Sequence, residues 1–199
     1  IYKRWGFDTN RFITIYSPFK FEKKLRTRRT KKNLVLYVGG PYEAKGFYEL
    51  LEAARLVKNK KLKFNFIGIG EPLEKVQNFV KENKLNIKFI KKLSHEQLLK
   101  YYKKASVLIH PSIWPEPFSR VWIEALEYNI PIISADNPVA LEILKGGALF
   151  YRRGHPEELA EKIDGFFSKK KRLNSSKIKK RLFSNKPVDK LIELYNRNV

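Results

Sequence analysis

Apolar and polar positions along the chain fall into two alternating kinds of segment. Short, nearly unbroken apolar runs are followed by longer stretches in which apolar side chains recur every three or four positions. LVLYVG (34–39), FNFIG (64–68), IKFI (87–90), VLIH (107–110), PIISA (131–135) and ALFY (148–151) are of the first kind and predict strands buried on both faces. The stretches between them predict helices over 46–58, 72–83, 94–104, 119–128 and 156–168; in the first, Leu50, Leu51, Ala54 and Val57 share one face. Ser94 followed by Gln97 has the pattern of a capping box, and Pro156 suits the first position of a helix. Asn137 before Pro138 predicts a turn and cap for a short helix carrying Glu142. Helices over 175–183 and 187–197 close the chain.

Strands alternating with helices at this spacing predict an α/β fold, a doubly wound parallel sheet of about six strands. The first 33 residues break the alternation, offering one strand-like piece at 12–16 and then a basic run without apolar period. The expected organisation is therefore 1–33 as the end of a preceding domain and a basic linker, 34–168 as the sheet domain, and 169–199 as basic C-terminal helices. The chain starts with Ile1, carries no signal-peptide pattern, and is read as a piece of something longer.

Charge changes this picture at the flanks only. The 199 residues carry 42 basic and 20 acidic side chains, a net charge of +22. Residues 20–32 hold eight basic residues and one acid, and 169–190 hold ten and one, whereas 33–168 hold 20 and 16. Such runs attract anionic lipid headgroups or the phosphates of nucleic acid, or are simply solvated. Composition then excludes several classes. With 43% apolar residues the chain is no disordered tail. Its longest stretch free of charge is 11 residues, short of the roughly 18 a membrane span needs. The absence of cysteine excludes disulfides, thiol catalysis and Cys-based zinc sites, and is compatible with a reducing compartment.

Ligands of such sheets bind at the carboxyl ends of the strands, so the strand-to-helix loops hold the candidates. In GGPYEAKG (39–46) the glycines let backbone amides approach a phosphate and Lys45 supplies a point charge; the alternative is a tight turn with a surface lysine. GIGEP (68–72) begins like a dinucleotide fingerprint, but Leu73 stands where the third glycine belongs, and it reads as a turn. Residues 111–131 are the most informative. Glu116 falls outside the helix and Glu124 near its second turn, while the amides of Phe118, Ser119 and Arg120 point the positive helix end into the cleft. That arrangement suits a diphosphate or sugar hydroxyls; the alternative makes Glu124 a buried acid paired with a lysine. His95, His110 and His155 lack ligand spacing, no Asp-x-Asp occurs, and all three read as surface or packing histidines.

Pro111-Ser112, Glu116-Pro117-Phe118-Ser119, Glu124-Ala125 and Pro131 together resemble the signature of glycosyltransferase family 4, the retaining GT-B enzymes that use nucleotide sugars. LVLYVGGPYEAKGFYELLEAA is similar to the first βα unit of that family, IGIGEP to its Gly-x-Gly turn, and FIKKLSHEQLLKYYKKA to the segment before its fourth strand. IYSPF and the final ELY match its linker and last helix. The resemblance implies a Rossmann-like domain, the C-terminal half of a GT-B fold, that binds a UDP- or GDP-hexose without metal or other cofactor. An acceptor domain on the N-terminal side and an unidentified glycan acceptor, lipid-linked in one version, complete the expectation.

On this resemblance Glu116 and Lys45 are the catalytic candidates. Gly39, Gly40, Lys45, Lys91, Leu93, Glu116, Phe118, Ser119, Arg120, Val121 and Glu124 are the donor-binding set. Lys45 holds the diphosphate and Glu124 the ribose hydroxyls, with the base near residues 90–93. Gly40 stands where the family usually has Arg, Ser119 and Lys91 where it has Gly, and Pro138-Val139 where a Gly pair is common. The expected location is the cytoplasm, peripherally at the inner face of the membrane. The competing readings are a basic module for nucleic acid or another polyanion, a transferase fold kept as a non-catalytic subunit, and another GT-B-like enzyme such as an epimerase or phosphorylase.

Overall fold

The computed structural model describes residues 2–16, 33–114, 116–168, 175–184 and 187–197. The basic run 20–32, the segment 169–174 that opens the second basic run, and Pro115 lie outside them.

Six strands, β1 (Leu34–Val38), β2 (Lys63–Ile67), β3 (Ile87–Ile90), β4 (Val107–His110), β5 (Ile132–Ala135) and β6 (Leu149–Tyr151), form one sheet in the order β3-β2-β1-β4-β5-β6. Every pairing is parallel. Eight α-helices accompany them among the described residues: α1 (Phe47–Leu56), α2 (Glu74–Glu82), α3 (His95–Tyr102), α4 (Arg120–Glu127), α5 (Pro138–Leu144), α6 (Pro156–Ser168), α7 (Ser175–Ser184) and α8 (Pro187–Asn196).

Because side chains alternate along a strand, each apolar run feeds two layers. Val35, Tyr37, Phe64, Phe66, Val107, Ile109 and Ile133 meet Phe47, Leu50, Leu159 and Ile163 of α1 and α6 on one face. Leu36, Ile67, Leu108 and Ile132 meet Trp122, Leu126, Ile143, Ile178 and Leu182 of α4, α5 and α7 on the other. The basic helix α7 is thus anchored in the second layer by Ile178 and Leu182, both buried.

Local signals set the helix starts. Ser94 Oγ accepts from Gln97 N (3.3 Å) and Gln97 Oε1 from Ser94 N (3.1 Å), completing the expected capping box. Asn137 Oδ1 accepts from Ala140 N at 2.8 Å and opens α5. Gly68 in the 68–70 turn serves close approach: its φ is +95° and a Cβ would lie 2.7 Å from the Gly39 carbonyl oxygen.

One feature departs from the expectation. The piece at 12–16 is not a strand. It follows 3-10 turns at Tyr2–Trp5 and Thr9–Arg11 and joins no ladder among the described residues, and Phe12 and Ile13 are exposed. Alternating apolar residues make a strand only where a neighbour supplies the ladder, and both sheet edges lie elsewhere. Tyr16 instead docks on the body, its hydroxyl donating to Glu142 Oε1 and its ring stacked on Phe118 with centroids 6.1 Å apart. The helix expected over 187–197 forms as α8; it buries none of its residues and turns Val188, Leu191, Ile192 and Tyr195 to solvent. No helix among the described residues is long and apolar enough to cross a membrane.

Candidate functional site

Strand order reverses direction between β1 and β4, so the loops that leave these two central strands flank one crevice at the carboxyl edge of the sheet. These are the loops that carry Lys45 and Glu116.

The loop after β1 runs through Gly39 and Gly40 into a 3-10 turn at Glu43–Lys45, then into α1 through Gly46. Tyr37, buried beneath it, donates to the Gly40 carbonyl at 2.8 Å. Gly46 has φ +69°, and a Cβ there would lie 2.0 Å from the Pro111 carbonyl oxygen, so only glycine fits. Beside this contact, Ile113 N and Trp114 N both donate to Ala44 O at 3.1 Å. The two loops are stitched backbone to backbone, and the seam delivers Lys45 Nζ directly onto Glu116 Oε1.

Glu116 is 9% exposed and sits among groups that favour its charge. The Ser112 hydroxyl lies 3.1 Å from Oε1, and His110 Nε2 lies 3.8 Å from Oε2. Burial pushes the Glu116 carboxyl up, but the hydrogen bonds and charges of His110 and Lys45 outweigh burial and hold it at about 2. The same carboxylate adds to the effect of burial in pushing the Tyr37 phenol up.

Ser119 occupies the cap position of α4 but does not cap it. Its hydroxyl turns to His110 Nε2 at 3.2 Å, so the first amides of α4 receive no side-chain acceptor from the cap. These amides and Arg120 stand at the positive end of the helix dipole, beside the Lys45–Glu116 pair in the chain's fold. Phe118 is half-buried under Tyr16, Val121 is half-buried and Arg120 exposed.

Glu124 lies one turn further along α4, its side chain 18% exposed. Oε2 accepts from Tyr102 Oη at 2.8 Å and Oε1 lies 3.5 Å from His95 Nδ1. The expected alternative of a lysine partner is corrected: Lys45 goes to Glu116, and a phenol and an imidazole attend Glu124. Lys91, exposed, and Leu93, half-buried against the second layer, lie on the loop from β3 to α3, whose first residue is His95. Lys45 and Glu116 are thus brought into contact, and the β3 loop reaches Glu124 through His95.

Sequence reasoning reads His95 and His110 as surface or packing histidines and does not single out Tyr102. His110 does pack, edge-on to Trp122 at 4.8 Å, yet it also bonds Ser119 and faces Glu116. Its position at the last residue of a fully buried strand, one step before the loop, was the available signal. Grooves along α2, lined by Gly70, Pro72 and Lys84 on one side and by Tyr48, Leu51 and Phe79 on the other, include none of the candidate residues.

The pattern of the family described as glycosyl transferases group 1 matches residues 19–183. The chain is 30% identical over 157 residues to an uncharacterized glycosyltransferase of Methanocaldococcus jannaschii, covering 77% of this chain and 43% of the relative. It is also 30% identical over 158 residues to the O-antigen chain mannosyltransferase RfbU of Salmonella typhimurium, covering 75% and 42%. The chain therefore spans less than half the length of these relatives. Among solved structures, TarM of S. aureus superposes with TM-score 0.78 at 17% identity, over 97% of this chain and 41% of that one. HepE of Anabaena superposes with TM-score 0.70 at 18% identity, over 85% and 50%. Both support the fold, a Rossmann-like sheet as in GT-B glycosyltransferases.

Proposed function

The chain belongs to the group 1 glycosyl transferases, and from that premise we propose that its sheet domain, 34–168, binds the sugar-nucleotide donor in the crevice between the β1 and β4 loops. The observation that carries this reading is the contact of Lys45 with Glu116 at the switch point of the sheet, beside an α4 N-terminus whose cap hydroxyl points elsewhere. Lys45 is 40% exposed and can leave Glu116 for a diphosphate, which the α4 amides also favour. Glu116, ionised far below neutral pH, then faces the transferred hexose and stabilises the positive charge that develops as the nucleoside diphosphate departs. Glu124 takes the ribose hydroxyls, and the base lies over residues 90–93. TarM and HepE were both solved with UDP, which supports UDP among the candidate nucleotides, with GDP the other.

Within this reading the transfer is retaining and needs no metal, since Lys45 and the helix dipole carry the phosphate charge. The acceptor, a glycan, enters from a second domain. The unpartnered stripe Val188, Leu191, Ile192 and Tyr195 on α8 supports such a body, because an apolar stripe of this spacing is normally covered. The basic flanks support a peripheral position on an anionic membrane.

Calorimetric titration with UDP, GDP and their hexose derivatives, in moderate salt without metal, tests the reading. One nucleotide should bind, and Lys45→Ala and Glu124→Ala should each abolish it. Binding that ignores both substitutions and falls steeply with salt would replace this reading with a polyanion-binding module.

A further inference from the structure

We propose that Tyr102 is a positioning residue that sets the preference of the site for ribose over deoxyribose, acting through Glu124. The inference rests on the reading of Glu124 as the ribose acceptor and goes beyond it. A carboxylate discriminates a diol from a single hydroxyl only if its oxygens are held at a fixed angle. A glutamate side chain left to itself is not so held, and ordering it costs up to about 1.5–2 kcal/mol in rotamer freedom.

The structure supplies the ordering in advance. Tyr102 Oη donates to Glu124 Oε2 at 2.8 Å, which commits that oxygen. The phenol is itself enclosed. Tyr102 is 1% exposed, and its ring lies parallel to that of Tyr128, 6.0 Å away and inclined by 4°. Tyr128 follows the last turn of α4, the helix that carries Glu124, so α3 and α4 are joined twice, ring on ring and hydroxyl on carboxylate. Burial, and after it the charge and hydrogen bond of Glu124, push the Tyr102 phenol up, so it remains a donor throughout the working pH range. For packing alone phenylalanine would serve equally at this position; the hydroxyl is spent on the site carboxylate. The other oxygen, Oε1, faces His95, whose side chain is 69% exposed at the rim. A sugar hydroxyl entering there meets an oxygen whose direction Tyr102 has already set.

The test measures dissociation constants of UDP and GDP, and of their 2′-deoxy and 3′-deoxy counterparts, for the native protein, Tyr102→Phe, Glu124→Gln and the double variant. Phe keeps the ring and its stack and removes one oxygen. Tyr102→Phe should weaken the bound ribonucleotide roughly tenfold while leaving the poorer deoxynucleotide unchanged, so that their ratio falls. The double variant should lose nothing beyond Glu124→Gln alone. An unchanged ratio in Tyr102→Phe, or equal weakening of every nucleotide, overturns the positioning role. If Glu124→Gln still lowers the ratio in that case, the ribose reading of Glu124 survives. An unchanged ratio in Glu124→Gln, or a native protein that binds no nucleotide, overturns both.

Discussion

Glu116 and Glu124 bracket the start of the same helix, and their surroundings could hardly differ more. Glu116 is held by the cation of Lys45, the imidazole of His110 and the hydroxyl of Ser112, at the seam of two loops. Glu124 is held by a neutral phenol, with an imidazole at its outer oxygen. The first arrangement is a charge already neutralised by a lysine; in the proposed function that lysine is given up to the donor diphosphate. The second is a charge fixed in direction but not neutralised by a lysine, open to uncharged donors. Two carboxylates of one short segment thus stand in different electrostatic settings, and what differentiates them is the neighbour that the β1 loop brings to one and α3 to the other.

Breaking the seam should separate the two sites most strongly. Gly46→Ala forces a left-handed conformation on a side chain and drives a methyl into the Pro111 carbonyl, so unfolding free energy should fall by about 3 kcal/mol. Lys45 and Glu116 would part while Tyr102 and Glu124 stay bonded; chemical denaturation and ultraviolet difference spectra of the tyrosines distinguish the two.

Removing the charge of Glu116 is the next largest change. Glu116→Gln leaves Lys45 and His110 without their carboxylate, at a cost of about 1–2 kcal/mol given that the lysine is 40% exposed. The loss has a pH signature. Since the folded carboxyl titrates near 2, below the ordinary value of about 4.3 for an unfolded chain, its stabilisation is complete above roughly pH 4.5 and disappears as pH falls toward 2. Urea unfolding between pH 5 and pH 2 should therefore show a shallower acid limb in Glu116→Gln than in the native chain; identical limbs would refute the pairing.

Ser119→Ala sharpens the comparison at the smallest scale. It removes the hydroxyl that bonds His110, whose Nδ1 already has no hydrogen-bond partner among the described residues, and should cost about 1 kcal/mol. Nucleotide affinity should change little, because the α4 amides never depended on that hydroxyl as a cap. A loss as large as that of Lys45→Ala would assign Ser119 a direct contact.

The sheet was legible because its rules are local and periodic. Val107–His110 stands as an apolar run bounded by turns, the Ser94–Gln97 box announces α3, and Pro156 opens α6. Lys45 and Glu116 were legible as candidates from their loops, although not as partners, since their contact depends on a backbone seam between distant segments. Tyr102 was hidden because a tyrosine on an apolar helix face gives the same pattern as any core residue, and only tertiary placement decides where its hydroxyl points. The 12–16 piece misled for the converse reason. Its alternation satisfies a strand, but a strand also needs an edge, and Tyr16 found a helix and a ring instead.

That docking of Tyr16 works as a tether with two footings. Phe118, next to the start of α4, bears the ring, and Glu142 on α5 holds the hydroxyl, so the two contacts act as bearing and pin. Segment 12–16 is thereby fastened at once to the approach to α4 and to α5, two elements that the chain reaches only a hundred residues later.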